Sequence, residues 1–465
     1  MSEQFRTTPE ETDKMPSGIP FIVGNEAAER FSYYGMTGIL MTFMTAHLLV
    51  TNARGETAHL DKAEASSVIH YFKAANYFFP FLGAIIADAF TGKYLMIVSL
   101  SLVYCLGHVV LFLMDMPLGI QPLYLLYAGL ALIAFGAGGI KSCVSAHVGD
   151  QFGEKNQHLL EKVYMWFYFS INLGAGVSLY VCPELLEHYG PGVAFGVPGF
   201  LMGAATLVFW LGRYRYAHIP ASRDRFVRAL DRDGILAILR LVPLYLFVAV
   251  FWALFDQSSS RWVDQAASMN RTLISIPWGE KPWTFTILPA QTQSANAIFV
   301  LIIIPAFALL VYPAINKFFR LTPLRKIGIG LFTMIPVFVI SAWIESLIGN
   351  KQTPSIYWQF LAYAILTAAE VLISITALEF SYTQAPASLK SLVMGVNLLS
   401  VTVGNFFVGG INSYITYMKS RGSDVLEGSS YYWFFAMCMA IAAIAYVPWA
   451  MSYKGESHLQ SEAAE

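Results

Sequence analysis

The sequence contains little charge. Asp, Glu, Lys and Arg make up 13% of its 465 residues, against about 25% in ordinary soluble domains. The formal net charge is −1 and no basic tract occurs, which argues against a nucleic-acid partner. The cysteines lie in or beside apolar stretches without CxxC or metal-like spacing, so we interpret them as small core residues and predict no metal or cofactor. They are Cys105, Cys143, Cys182 and Cys438.

Motifs of hydrolytic enzymes are also missing. The apolar stretches hold a histidine and several carboxylates that can serve in acid–base chemistry, but they contain neither GxSxG nor HExxH. An intramembrane enzyme is therefore not favoured, and no enzymatic activity is predicted.

What is abundant is apolar surface. The chain is 56% hydrophobic, with 34 Phe, 25 Tyr and 10 Trp, and its mean hydropathy is +0.54. These values are typical of an integral membrane protein rather than of several globular domains. The first 18 residues have no apolar core or cleavage site. We therefore expect the first span, and not a signal peptide, to target the chain.

Apolar runs long enough to cross a bilayer predict twelve transmembrane helices, and thus an all-α membrane protein. The predicted spans are 19–49, 66–90, 94–115, 121–144, 160–184, 192–214, 235–258, 293–316, 324–347, 355–384, 389–418 and 429–452.

The distribution of Lys and Arg predicts the orientation. Seventeen of them fall on the side of the amino terminus and eight on the other side, so both termini are expected in the cytoplasm. The longest cytoplasmic connection divides the spans six and six, as in transporters built from two halves around a midplane site. The predicted parts are a tail 1–18, a bundle 19–213, a linker 214–234, a second bundle 235–452 and a tail 453–465.

The first span carries three charges. An ionised residue at the centre of a membrane helix costs roughly 2.5 to 3.5 kcal/mol, so it normally faces a bundle interior or an aqueous cavity. Glu26, Glu29, Arg30 and Tyr33 share one helical face, on which Glu26 can pair with Arg30 one turn later. This face is expected to line a polar path; the alternative is an ion pair that only joins two helices.

Three further groups of polar residues lie in the first half. His70, Lys73 and Tyr77 share one face of the second span. A lone histidine in an apolar helix is more often a hydrogen-bonded core residue, but only histidine has an unperturbed pKa near physiological pH. Lys141 follows a run of small residues in the fourth span and either faces the interior or extends to the interface.

In the fifth span, Tyr168 and Asn172 are one turn apart. The second half contributes Asp256 and Arg261 after the seventh span, Asn296 in the eighth, and Glu370 and Glu379 in the tenth. Glu370 lies deep in its span, whereas Glu379 lies nearer the cytoplasmic end.

Several of these residues belong to longer motifs. The chain contains E-x-x-E-R-F-x-Y-Y-G at 26–35, G-G-x-K at 138–141 followed by G-D-Q-F at 149–152, and F-Y-x-x-I-N-x-G at 167–174. It also contains F-W-x-x-x-D-Q-x-x-S-R-W at 251–262, and E-x-x-x-S with L-E-F-S-Y-x-Q-A-P at 370–386. Together they resemble the proton-dependent oligopeptide transporter family of the major facilitator superfamily. Ser142 departs from the proline usual in the second motif, and 83–93 resembles the loop motif of the superfamily.

The resemblance implies a symporter that imports di- and tripeptides with protons by alternating access. The compact size favours a bacterial inner membrane, and we expect the chain to act in that lipid bilayer as a monomer. The predicted substrate-binding residues are Arg30, Tyr33, Tyr34, Tyr77, Lys141, Tyr168, Asn172, Asn296 and Glu370. The predicted proton-coupling residues are Glu26, Glu29, His70, Asp256 and Glu370. The predicted gating salt bridges involve Lys141, Glu370, Asp256, Arg261 and Glu379.

Two alternatives remain open. A carrier of nitrate, a hormone or another anion on the same fold needs Arg30 and Lys141 but not Glu370; the carboxylate and the asparagines favour a zwitterion. A receptor or scaffold that has lost transport activity is the other alternative, which a proton current on addition of peptide would exclude.

Overall fold

The computed structural model describes residues 5–51, 55–223, 232–277, 282–384 and 390–453. Within these ranges the chain is almost entirely helical. Parts of the predicted linker and of both predicted tails (1–4, 224–231 and 454–465) lie outside the described residues. The α-helices are α1 Ile19–Thr42, α2 Lys62–Ile86, α3 Lys93–Phe112, α4 Pro122–Gly149, α5 Leu160–Leu211, α6 Arg232–Phe255, α7 Arg261–Ala267, α8 Ser294–Ala306, α9 Tyr312–Asn316, α10 Pro323–Gly349, α11 Tyr357–Glu370, α12 Thr376–Gln384, α13 Lys390–Ser420 and α14 Ser429–Ser452.

Two short antiparallel hairpins and several short π-helical and 3-10 segments also occur among the described residues. β1 Val50–Thr51 pairs with β2 Thr57–Ala58, and β3 Thr272–Ile276 pairs with β4 Trp283–Thr286. In the second hairpin Ile276 is opposite Trp283, and the register shifts between Thr272 and Ile274. The sequence-based spans leave 258–292 as a loop, whereas the structure forms α7 and this hairpin there.

Ten helices of the described residues are long and apolar enough to cross a membrane. One of them, 59 residues long, contains α5, which is broken at Gly190. Gly190 has φ +83°, a conformation that side chains rarely adopt, and Pro191 follows it. The break falls between the predicted spans 160–184 and 192–214. The chain is thus an all-α, multi-pass membrane protein.

Contacts between residues divide the chain into two compact units. Unit 1 comprises 1–39, 46–59 and 72–235, and unit 2 comprises 40–45, 60–71 and 236–465. The division therefore passes through α1 and α2. The first ten residues of α2, 62–71, belong to unit 2, and its remainder belongs to unit 1.

In unit 1, α3 packs closely against α4 and α5. The α3–α4 contact depends on small residues of α4: a Cβ at Gly136 would lie 2.6 Å from the backbone nitrogen of Tyr104. Small residues at such a crossing let two membrane helices approach closely. The same run of small residues directly precedes Lys141 in α4, so this packing also fixes the position from which the Lys141 side chain extends.

In unit 2, α10 packs against α14 and α11 around an aromatic core. Trp262, Phe338, Tyr363 and Phe435 are fully buried there, and the Trp262 and Tyr363 rings meet edge to face at 4.7 Å. Such a geometry is favourable for aromatic pairs. This core holds α11, the helix that ends at Glu370, in a fixed position.

The structure begins α2 four residues before the predicted start at 66. Asp61 accepts a hydrogen bond from the Ala63 backbone N–H at 2.9 Å, as a helix-capping side chain does. The polar residues Lys62 and Glu64 are therefore part of the helix although they interrupt its apolar pattern.

Candidate functional site

The charged residues of α1 form a buried ion-pair cluster in unit 1. Arg30 donates to Glu26 at 2.7 Å, and its Nε lies 3.3 Å from a Glu29 oxygen. Glu26 and Glu29 are almost completely buried, and the Arg30 side chain is 13% exposed. The predicted pairing of Glu26 with Arg30 across one helical turn is confirmed. The cluster places two acids and one base on the same helix.

Lys141 adds a second cation close to this cluster. Its ammonium nitrogen lies 3.8 Å from the centre of the Tyr33 ring and 4.3 Å from that of Tyr77, which are cation–π distances. It is buried and makes no hydrogen bond within the described part of the chain. Arg30 and Lys73 are near enough to repel it electrostatically. The interaction with both rings shows that Lys141 faces the interior.

The remaining predicted residues of unit 1 are less enclosed. The Tyr34 ring contacts that of Tyr33 edge to face at 5.2 Å. Asn172 donates to the Tyr168 carbonyl at 2.9 Å, one turn earlier in α5. Tyr168 is 43% exposed, in contrast to Tyr33, which is 2% exposed. Tyr168 and Asn172 are thus one turn apart in α5, as predicted, but the Asn172 side chain contacts the backbone of Tyr168 and not its ring.

Unit 2 contains a half-buried carboxylate, Glu370, with two neighbouring polar groups. Asn296 of α8 donates to Glu370 Oε2 at 2.8 Å and to the Thr367 hydroxyl at 3.0 Å. The chain after Glu370 widens into a π-helical turn at Val371–Ile375, a feature that often accompanies functional sites. The Ser374 hydroxyl donates to the Glu370 carbonyl at 2.7 Å inside that turn. Two residues predicted separately, Asn296 and Glu370, thus meet in one site.

His70 lies in a second polar network of unit 2. Its Nδ1 is 2.7 Å from Asn405 Oδ1, and its Nε2 is 2.9 Å from the Ser260 hydroxyl. Asn405 also donates to Asp256 Oδ2 at 2.6 Å. His70, Asn405 and Ser260 are fully buried, and Asp256 is 6% exposed. The network therefore joins α2, α13 and the turn after α6, and it brings together the predicted residues His70 and Asp256.

Arg261 is satisfied by another asparagine of α13. Its guanidinium donates to Asn412 Oδ1 at 2.7 Å and lies over the Tyr431 ring at 4.3 Å. The sequence suggested a pair between Asp256 and Arg261, whereas the structure gives each of them a different asparagine, seven residues apart in α13. Glu379 is exposed and is not among these contacts.

Sequence analysis did not identify Asn405 and Asn412. One signal was present: two asparagines at i and i+7 in an apolar membrane span share one face, and buried polar residues in such spans are functional candidates. Within the described residues, no group of His, Cys, Asp and Glu side chains is arranged to hold a metal ion.

The two units differ in charge. Buried or nearly buried cations exceed anions around Lys141 in unit 1, where Arg30, Lys73 and Lys141 stand against Glu26 and Glu29. In unit 2, the site around Asn296 includes Asn296, Thr367, Ser374 and Glu370, and of these four residues Glu370 alone is ionisable. The first site suits an anionic group and the second a cationic one. The two sites of this multi-pass membrane protein thus differ in the charge of the group that each can bind.

Comparisons with known proteins identify the family. A family model described as the POT family matches residues 94–232 and 225–434. Human solute carrier family 15 member 2 is 35% identical over 73% of this chain and 50% of its own. Peptide transporter family 1 of Caenorhabditis elegans is 31% identical over 73% of this chain and 46% of its own. The chain belongs to the POT family, and it spans about half the length of these curated relatives.

Solved structures agree with this assignment. The crystal structure of the POT family transporter PepTSo has a TM-score of 0.81 and 34% identity, covering 95% of this chain and 99% of the other. An auto-inhibited POT family peptide transporter has a TM-score of 0.82 and 32% identity, covering 96% and 99%. The fold of this chain is therefore that of POT transporters.

Proposed function

We propose that the protein is a proton-coupled symporter that imports di- and tripeptides by alternating access. The opposite charge of the two sites supports this most directly: cations surround Lys141 in unit 1, and the Asn296–Glu370 pair lies in unit 2. A short peptide carries a carboxylate at one end and an ammonium at the other, so it needs both kinds of site.

In this proposal Arg30 and Lys141 bind the peptide carboxylate. Arg can grip a carboxylate through two parallel hydrogen bonds. Lys141 supports the role because its ammonium nitrogen is buried, faces two tyrosine rings and makes no hydrogen bond in the described part of the chain. Tyr33, Tyr34, Tyr77 and Tyr168 supply apolar rings with polar tips, which suit varied peptide side chains.

Glu370 binds the peptide ammonium, with Asn296 orienting its carboxylate and Asn172 contributing its amide. The hydrogen bond from Asn296 fixes one oxygen of Glu370, which leaves the other for the substrate. Proton uptake by carboxylates or histidine accompanies transport, and the proposed acceptors are Glu26, Glu29, His70, Asp256 and Glu370. The predicted pairing of Lys141 with Glu370 and the gating roles of Asp256, Arg261 and Glu379 stay predictions.

The proposal includes twelve transmembrane helices in two six-helix halves, with both termini in the cytoplasm. It also places the chain as a monomer in a bacterial inner membrane. Family membership, the ten apolar helices and the break at Gly190 support the helix count. The excess of Lys and Arg on one side supports the orientation.

The experiment is uptake of labelled dialanine into proteoliposomes, with and without an inward proton gradient and a negative-inside potential. We expect accumulation that a protonophore abolishes and that other dipeptides, but not free alanine, compete. No accumulation by intact protein would contradict the proposal and favour an anion carrier or a scaffold.

Blocked peptides test the two ends separately. N-acetyl-dialanine has no ammonium and dialanine amide has no carboxylate, so both should compete poorly with dialanine in the wild type. In Glu370→Gln the penalty for the acetyl group should shrink, and in Lys141→Gln the penalty for the amide should shrink. If the penalty for the amide shrank in Glu370→Gln and that for the acetyl group shrank in Lys141→Gln, Lys141 would bind the ammonium and Glu370 the carboxylate end.

A further inference from the structure

The network around His70 contains a residue that the proposed mechanism does not use, Asn405. It is fully buried in α13 and touches two ionisable residues at once. Its amide nitrogen donates to Asp256 Oδ2 at 2.6 Å, and its amide oxygen lies 2.7 Å from His70 Nδ1. One side chain therefore connects an acid and a histidine that the proposal places among the proton acceptors.

The orientation of this amide follows from its partners. A carboxylate only accepts hydrogen bonds, so the NH₂ group of Asn405 must face Asp256 while Asp256 is ionised. The same NH₂ group also donates to the Val401 carbonyl at 3.0 Å, another acceptor. The oxygen of the amide is thereby directed to His70. Because an amide oxygen cannot donate, His70 must carry its hydrogen on Nδ1.

Ser260 faces the other ring nitrogen, Nε2, at 2.9 Å. When His70 is neutral, the Ser260 hydroxyl donates to Nε2. When Nε2 gains a proton, it donates to the Ser260 oxygen, and the hydroxyl hydrogen turns to the Gln257 carbonyl at 3.4 Å. The site thus provides partners for both charge states of His70 without moving a heavy atom.

We propose that Asn405 is a positioning residue that fixes the tautomer of His70 and links its protonation to that of Asp256. Protons then enter and leave His70 at Nε2, on the side of Ser260. An ionised Asp256 holds the amide in the orientation that supports a charged His70. Protonation of Asp256 removes one of the two acceptors that hold this orientation, the other being the Val401 carbonyl. A rotated amide would present its NH₂ group to Nδ1 and oppose a charged His70.

Two other charged residues, Arg261 and Lys73, lie close in sequence to residues of this network, but Asn405 is the residue that meets Nδ1 of His70. Arg261 follows Ser260 in sequence, but its guanidinium is bound to Asn412. Lys73 lies one turn further along α2 and is buried. On α13 the group that meets His70 is the uncharged amide of Asn405. The inference rests on the proposed role of His70 in proton coupling.

The first test compares two matched variants, Asn405→Leu and Asn412→Leu. Both remove a buried asparagine from the same helix, but only the first touches His70. The measurement is dialanine uptake by the full chain in proteoliposomes between about pH 5.5 and pH 8 at a fixed potential. Asn405→Leu removes a hydrogen bond to the charged His70 ring. The pH at which dialanine uptake is half-maximal should therefore fall by about one unit in this variant. The midpoint in Asn412→Leu should not move.

An unchanged midpoint in Asn405→Leu, or an equal shift in both variants, would overturn the inference. If His70→Gln instead retains the wild-type pH dependence, the proposed role of His70 fails, which is a separate result. The two failures are thus distinguishable.

A second measurement does not depend on transport activity. Nitrogen-15 solid-state NMR distinguishes the two neutral tautomers of histidine, and the difference between wild type and His70→Gln isolates the His70 signals. At alkaline pH we expect hydrogen on Nδ1. Hydrogen on Nε2 in the wild type would overturn the inference.

Discussion

Asn296 donates to the carboxylate of Glu370 over 2.8 Å and joins α8 to α11 inside unit 2. The same amide donates to Thr367, one turn earlier in α11. A carboxylate in a membrane helix needs such partners because an isolated charge there is costly. The contact orients Glu370 through Oε2, and the second carboxylate oxygen can accept a hydrogen bond from an ammonium group.

Removing this contact should weaken peptide binding. In Asn296→Leu we expect the KM for dialanine to rise about tenfold, because a hydrogen bond to a charged group contributes roughly 1.5 to 3 kcal/mol. Thr367→Val is the matched control, since it removes only the neutral partner of Asn296, and its KM should change less than about threefold. Equal effects in both variants would indicate that general packing, and not the Glu370 contact, is responsible.

The shape of the Arg30 side chain should matter as well as its charge. Arg30 contacts Glu26 and Glu29 and is proposed to grip the peptide carboxylate, which a lysine cannot do through a planar fork. Arg30→Lys should lower kcat/KM at least about tenfold. Arg213→Lys, at an arginine that stacks on Trp210, should leave it unchanged. Full activity of Arg30→Lys would mean that the positive charge alone suffices.

Helix packing in unit 1 predicts a large effect at Gly83. A Cβ added there would collide with the backbone carbonyl of Gly138 in α4, whereas one added at Gly24 would meet nothing within 4 Å. Gly83→Ala should therefore destabilise the protein by about 1 to 3 kcal/mol, the usual cost of overpacking. Gly24→Ala should have no such effect. Thermal unfolding in detergent measures both, and equal melting temperatures would contradict the α2–α4 contact.

The ion pair between Asp61 and Lys419, at 2.5 Å, predicts a pH effect on stability. Burial acts to raise the pKa of Asp61, but hydrogen bonds from Lys419 and the Ala63 N–H outweigh it and lower the pKa. The folded pKa is thus below the unfolded value of about 3.9, so the contribution is present above about pH 4 and lost as pH falls through the folded pKa.

Asp61→Asn isolates this ion pair because asparagine keeps a capping oxygen for Ala63. The Asp61 and Lys419 side chains are 34% and 55% exposed, so the loss at pH 7 should not exceed about 1 kcal/mol and should shrink with salt. Glu11→Gln, which breaks the more exposed pair with Lys155, is the control and should change nothing measurable. A loss of stability in Asp61→Asn that persists at high salt would contradict the electrostatic origin.

Local spacing predicts the parts of the site that lie on one helix. Glu26 and Arg30 are four residues apart, and their pairing follows from helical geometry alone. The predicted boundaries of 429–452 coincide with α14, because its apolar run is uninterrupted. At α2 the boundary shifts because Asp61 caps the helix, a contact that the apolar pattern does not contain.

Contacts between distant segments cannot be derived in this way. His70 and Asn405 are 335 residues apart in the chain, and Asn405 and Asp256 are 149 apart. The motif at 251–262 marks Asp256 and Ser260 but says nothing of their partners. Asn405 belongs to none of the quoted motifs, so only folding reveals that it meets both His70 and Asp256. The hairpin at 272–286 was missed for a related reason, since its two short strands stabilise each other only when paired.

The central claim is that peptide entry is coupled to proton entry, with Glu370 among the proposed proton acceptors, and proton flux tests it most directly. Liposomes containing a pH-sensitive dye should acidify inside when dialanine is added to wild-type protein at a negative-inside potential. Glu370→Gln should abolish that acidification but can retain exchange of labelled for unlabelled dialanine, because exchange needs no net proton movement. Glu379→Gln, at the exposed glutamate of α12, is the comparison for a carboxylate outside the Asn296 site. Peptide-driven acidification by Glu370→Gln at the wild-type rate would contradict the account.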